Sequence, residues 1–179
     1  MRGRTAPEPT SRLHLAWGDY RTRYVLGVAL LIAGAALVSE TTAVTFSLGL
    51  VGSAVHLAGW IVQPGRPLAR AAVALPSLVF CWCTITGPKT MWLLALVLPC
   101  WLLVRRRPPI TYWSVALPLG LGLGLASAFS HVADKSLTFW TVVLGVVLGA
   151  WLAREYALRV RLVHTDRIGP APAPGPGTP

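Results

Sequence analysis

The sequence predicts an all-α membrane protein, an up-and-down bundle of about six transmembrane helices joined by short loops. Three observations predict it. Hydrophobic residues make up 54% of the 179 and charged residues only 12%, about half the charged share of a soluble domain. The charges gather in short clusters that leave long uncharged runs between them. Those runs approach the ~17–25 residues that a helix needs to cross the hydrocarbon of a bilayer.

The apolar runs fall at 24–38, 43–62, 68–86, 90–104, 112–131 and 137–153. The second, third, fifth and sixth are long enough as they stand. The first and fourth are short and must recruit neighbours such as Thr22, Ser39 and Lys89. Pro76, Pro99 and Pro118 interrupt the pattern, which would demote a soluble helix but is ordinary in a membrane one. The connections, at 39–42, 63–67, 87–89, 105–109 and 132–136, allow only antiparallel neighbours. The chain divides into an N-terminal segment 1–23, a transmembrane domain 24–154 and a tail 155–179.

Orientation follows from the cations. With the N-terminus inside, fourteen arginines fall on the cytoplasmic side, and only Lys89 and Lys135 fall outside. Cytoplasmic loops retain positive residues, so both termini are expected in the cytoplasm and the membrane is expected to be a bacterial plasma membrane. Trp60, Trp101, Trp113 and Trp151 fall near the inner boundary, and Trp82, Trp92 and Trp140 near the outer one. Amphipathic indoles favour the headgroup level, which reads these seven as interfacial anchors.

The flanking segments are weaker in pattern. Leu13, Trp17 and Tyr20 recur at helical spacing among Arg12, Arg21 and Arg23, as in a short helix lying on the inner membrane surface; a solvated tail fits equally. A cleaved signal peptide is not expected. The charged lead-in is long and a second apolar run follows the first at once. After the last run, Leu158, Arg159, Val160, Arg161 and Leu162 alternate, as a strand would or as an extension of the sixth helix could. From about residue 169 the tail reads GPAPAPGPGTP and is expected to be extended and disordered, with nothing apolar to bury.

Small residues recur at four-residue steps. Gly120, Gly124 and Ala128 in the fifth run, and Gly145, Gly149 and Ala153 in the sixth, are expected to let helix backbones approach closely. The second run adds Gly49 and Ser53 with Gly52 beside them. The alternating glycines of the fifth run are not a nucleotide fingerprint, because no strand, phosphate-facing helix start or acid accompanies them.

His56 is the one ionisable side chain well inside a run, and it shares a helical face with Thr45, Gly49, Gly52, Ser53, Gly59 and Gln63. It should therefore point into the bundle. Intramembrane ionisable groups are functional candidates, although a neutral imidazole bonded to a serine or a carbonyl is the structural alternative. Ser53 three residues earlier suggests a nucleophile and base, but a triad needs an orienting group and an oxyanion site, and no run contains a carboxylate. No enzyme activity, cofactor or catalytic residue is expected. Cys81, Cys83 and Cys100 lie inside apolar runs at spacings that fit neither a redox pair nor a metal site.

The function expected is that of an accessory or scaffold subunit in a membrane assembly. Its partners would be the bilayer, anionic headgroups at the cytoplasmic face and another membrane protein. Nucleic acid is not expected despite the net charge of +10, because the arginines flank apolar runs instead of forming one stripe. The alternative is a small-solute transporter or substrate-binding membrane subunit with His56 in its pathway. In size and span count, and in the small pair Ala29 and Ala33 of the first run, the chain is similar to substrate-binding subunits of energy-coupling-factor importers. Its short outer loops depart from that pattern by leaving little to cap a substrate.

Overall fold

A cap sets the first helix. The Thr22 amide donates to an Asp19 carboxylate oxygen at 3.0 Å, satisfying one donor that a helix start leaves unpaired. Hydrogen bonds from the Thr22 side chain and then its amide hold the Asp19 carboxyl below the ordinary carboxylate range. Helix α1 then runs Tyr20–Ser39, taking in Thr22 and Ser39 as its short apolar run required. It stops where the Ser39 and Thr41 hydroxyls turn back onto the Ala36 and Leu37 carbonyls, at 2.8 and 3.1 Å. The computed structural model describes residues 18–129 and 135–168, without the side chains of 160–168. The expected interfacial helix about Leu13 and Trp17, and the Pro-rich tail, lie outside the described residues.

Helix α2 is Phe46–Val62 and starts later than its apolar run predicts. The cause is local. The Thr42 amide donates to the Thr45 hydroxyl at 3.0 Å, and the Thr45 amide donates back to Thr42 at 3.2 Å. Side chains that bond the backbone this way compete with helix formation. The helix that forms is therefore shorter than the run: 17 residues of α-helix rise about 26 Å. At the far end, Arg23 Nε donates to the Val62 carbonyl at 3.1 Å, and Arg70 donates to the carbonyls of Gln63, at 3.1 Å, and of Ile61. Cations stabilise the negative end of a helix and satisfy its last carbonyls.

Helix α3 is Pro67–Cys83, followed by a 3-10 turn Thr84–Thr86 and by Gly87 at φ 114°. Helix α4, Val97–Val104, continues a nine-residue 3-10 stretch Pro88–Leu96; helix α5, Ala116–Ala128, continues a 3-10 stretch Pro109–Val115. Such long 3-10 runs are uncommon, and they rise ~2.0 Å per residue against ~1.5 Å in an α-helix. The fourth rod consequently reaches about 30 Å and the fifth about 33 Å. Tighter winding lets the short fourth run span a bilayer. Helix α6, Lys135–Ile168, is 34 residues long, so the alternating segment after residue 153 continues the helix. Glu155 and Arg159 stand four apart there, an arrangement that supports helix over strand.

Among the described residues, Tyr20–Ser39, Pro67–Thr86, Pro109–Ala128 and Lys135–Arg159 are long and apolar enough to cross a membrane, and Phe46–Val62 and Pro88–Val104 are shorter apolar rods. The protein is an all-α membrane bundle, and its described residues form six antiparallel rods. All nine arginines whose side chains are described lie at the end where α1 begins, and Lys89 and Lys135 lie at the other. At the arginine end, α4 closes in a Schellman turn, with bonds from Arg107 N to Leu102 O and from Arg106 N to Leu103 O, both 3.1 Å. Arg106 takes φ 51°, a place usually given to glycine.

The tightest pairing is α1 against α2. A Cβ on Gly34 would stand 2.4 Å from His56 N and 2.7 Å from Gly52 O, and one on Gly59 would stand 2.9 Å from Leu31 N. Helices in lipid associate through such close approach. On α6, a Cβ at Gly145 would meet Leu121 Cδ1 at 2.9 Å and one at Gly149 would meet Ser114 O at 3.0 Å, and Ala153 is fully buried.

The fifth helix corrects the expectation. Among the described residues nothing lies within 4 Å of a Cβ at Gly120 or Gly124, and Ala128 is exposed. The packing glycine is Gly122, whose Cβ would meet Trp92 Cα at 2.6 Å. Two residues turn a helix by about 200°, so alternate glycines fall on opposite faces and the spacing alone did not say which face packs. The tryptophans differ in burial. Trp60 and Trp101 are buried in the bundle, whereas Trp113, Trp140 and Trp151 are exposed.

Candidate functional site

The α1–α2 approach brings His56 within reach of α1. Its ring is 1% exposed, with Nδ1 3.2 Å from the Leu31 carbonyl oxygen and Nε2 3.1 Å from Ser77 Oγ on α3. Trp60, one turn along α2, donates from Nε1 to the same Ser77 Oγ at 2.6 Å and stands 3.3 Å from His56 Nε2. Ser77 Oγ also lies 2.9 Å from the Ala74 carbonyl. Cys81, four residues after Ser77, places Sγ 3.9 and 4.0 Å from the two ring nitrogens.

Donor counting constrains this cluster. A carbonyl only accepts, so His56 Nδ1 carries a proton toward Leu31. A neutral ring then accepts at Nε2 from the Ser77 hydroxyl, while Ser77 accepts from Trp60. A protonated ring donates from Nε2 to Ser77 Oγ, and the Ser77 hydroxyl turns to Ala74. Rotation of one hydroxyl satisfies either state.

His56 and Cys81 form part of the wall of a cavity of about 960 Å³ between α1 and α6. Its deep part is walled by Leu31, Ile32, Ala35, Leu94, Val97 and Val143, and its arginine end by Tyr20, Arg21, Tyr24, Arg105, Arg107 and Arg154. The Arg105 guanidinium lies over three rings, 5.3 Å from the centre of Tyr20, 4.5 Å from Tyr24 and 5.2 Å from Trp101, and it donates to the Tyr20 hydroxyl. Cation–π contacts strengthen when desolvated, and Arg105 is 3% exposed. The volume is at the upper end of the ~300–1,000 Å³ typical of ligand sites.

The structure separates the two candidates that the sequence put together. Ser53 donates to the Gly49 carbonyl at 2.7 Å and accepts from Trp82 Nε1 at 2.9 Å, so its hydroxyl is committed away from His56. The partners that His56 does have, Ser77 and Cys81, were missed. Their signal was Ser77 and Cys81 spaced four apart, on one helical face in the middle of the third run. Trp60, four after His56, was read as an anchor instead of as a donor. Among the described residues no group of three His, Cys, Asp or Glu side chains converges as a metal site would require.

Comparison with protein-family models, with characterised proteins and with solved structures gave no match.

Proposed function

We propose that this protein is a substrate-binding or transport subunit that holds a small molecule inside the membrane, in the cavity between α1 and α6. The observation that carries this reading is the cavity itself, which has apolar walls, convergent polar groups and a buried histidine in its lining. Ligand sites combine a mostly apolar lining with a few placed polar groups, and ionisable residues within a bundle mark pathways for substrate or proton. The reading is non-catalytic, with Ser53 bonded to Trp82 and Gly49. The membrane is read as a bacterial plasma membrane with the arginine end cytoplasmic, which the partition of arginines supports.

The test is recovery of small molecules from the purified full-length protein. Mass spectrometry after denaturation should release a retained compound from wild type and none from Val28→Trp, which fills the cavity. Equal recovery from both variants would refute the reading. The accessory-subunit role is a second reading, favoured by the small face of Gly120 and Gly124, on which none of the described residues packs. Tagged co-purification after mild solubilisation would recover a second membrane protein, and Gly124→Leu would release it.

A further inference from the structure

We infer that the occupant of this cavity is an anionic phospholipid of the surrounding leaflet, entering sideways with one acyl chain in the slot and its phosphate at the arginines. The inference rests on the proposed binding role and names the ligand class. The cavity follows α1 from Tyr20 to Ala35 and α6 from Val143 to Leu158, about 22 Å along each helix. It thus reaches past the middle of a ~30 Å hydrocarbon layer. Val25, Val147 and Trp151 line it and are 58%, 46% and 55% exposed, so the slot opens toward lipid between the two helices.

Its polarity is graded along that length. Arg21 and Arg154 stand at one end, beside Arg105 in its aromatic cage, and none of the described lining residues is acidic. Beyond Tyr24, Trp101 and Trp151 the walls are Val, Leu, Ile and Ala, until His56 and Cys81. A hydrophilic solute would lose its hydration against those walls without hydrogen bonds in return. A plain hydrocarbon would ignore the cations, and a free inorganic anion would fill only the mouth. An acyl chain with a phosphate head matches both parts. It also arrives with its head already at the depth of the arginines, where headgroup attraction acts on basic residues.

Native mass spectrometry of the full-length protein, titrated with dioleoylphosphatidylglycerol or dioleoylphosphatidylcholine, tests this. One phosphatidylglycerol should bind roughly thirtyfold more tightly than phosphatidylcholine, the size expected when two arginines each contribute headgroup attraction. The double variant Arg21→Gln with Arg154→Gln should bind both lipids alike. Val28→Trp, and independently Val147→Trp, should lose the tight adduct while keeping every arginine, which separates the slot from general attraction at the surface. Wild type that binds the two lipids equally, yet loses both in the tryptophan variants, would overturn the anionic-lipid inference and leave the cavity reading standing. Tryptophan variants that bind like wild type would overturn both. Displacement of the adduct by millimolar inorganic phosphate, or a preference for oleate over phosphatidylglycerol, would overturn the inference in favour of a free anion or a fatty acid.

Discussion

A single methyl group added at Gly34 should weaken this protein, and the same methyl at Gly124 should not. At Gly34 the new Cβ would lie 2.4 Å from His56 N and 2.7 Å from both His56 Cα and Gly52 O. All three are backbone atoms, so no side chain can swing aside. Ordinary contact begins near ~3.5 Å, so α1 and α2 must part by about 1 Å. Overpacking of this kind costs ~1–3 kcal/mol. Separation also stretches the bond between His56 and the Leu31 carbonyl, worth about 1 kcal/mol. Against this, alanine gains at most ~1 kcal/mol of helix propensity over glycine. Gly34→Ala should therefore lose roughly 2 kcal/mol, which lowers the midpoint of thermal unfolding by about 4–8 °C for a chain of this size. At Gly124 only the propensity gain applies, because none of the described residues lies within 4 Å. The assay is thermal unfolding of both purified variants in the same micelles, followed by near-ultraviolet circular dichroism. If Gly34→Ala unfolds with wild type while Gly124→Ala unfolds early, the two faces have been assigned the wrong way round.

Three further outcomes are expected. Ser77→Ala strips His56 Nε2 and Trp60 Nε1 of a shared partner and should cost ~1–3 kcal/mol, with altered tryptophan emission as a second readout; an unchanged midpoint would mean the cluster is not held together by that hydroxyl. Gln63 is 1% exposed, and its side-chain amide finds no hydrogen-bond partner among the described residues. Gln63→Met keeps the volume and removes the unsatisfied groups, so it should stabilise by about 1 kcal/mol or more in the same unfolding assay. Arg106→Gly should stabilise by roughly 1 kcal/mol, because glycine takes the positive φ without the penalty of a Cβ; a loss of stability there would mean the Arg106 side chain makes contacts that outweigh its backbone strain.

The sequence alone determined the solvent, the number of rods and the separation of charge. Long uncharged runs bounded by arginines can satisfy their backbone only as helices in lipid, and short links between them permit only antiparallel neighbours. His56 was legible as buried because its helical face is otherwise small and polar. Tertiary structure decided which faces meet. Glycines at 27 and 34, and at 52 and 59, are spaced seven apart, a pattern visible beforehand, yet only the packed pair shows that backbones touch at these glycines, as they do at Gly122 and Gly149. A glycine has no side chain to declare its neighbour, and a stripe of small residues suits a lipid-facing groove as well as a helix contact. The His56 cluster was hidden for the same reason. Its partners come from α1 and α3, far along the chain, and one of them is a main-chain carbonyl that no residue type announces. The cavity was beyond the sequence altogether, because it is the space left where α1 and α6 do not close, and that depends on the crossing of two helices which the chain places at opposite ends.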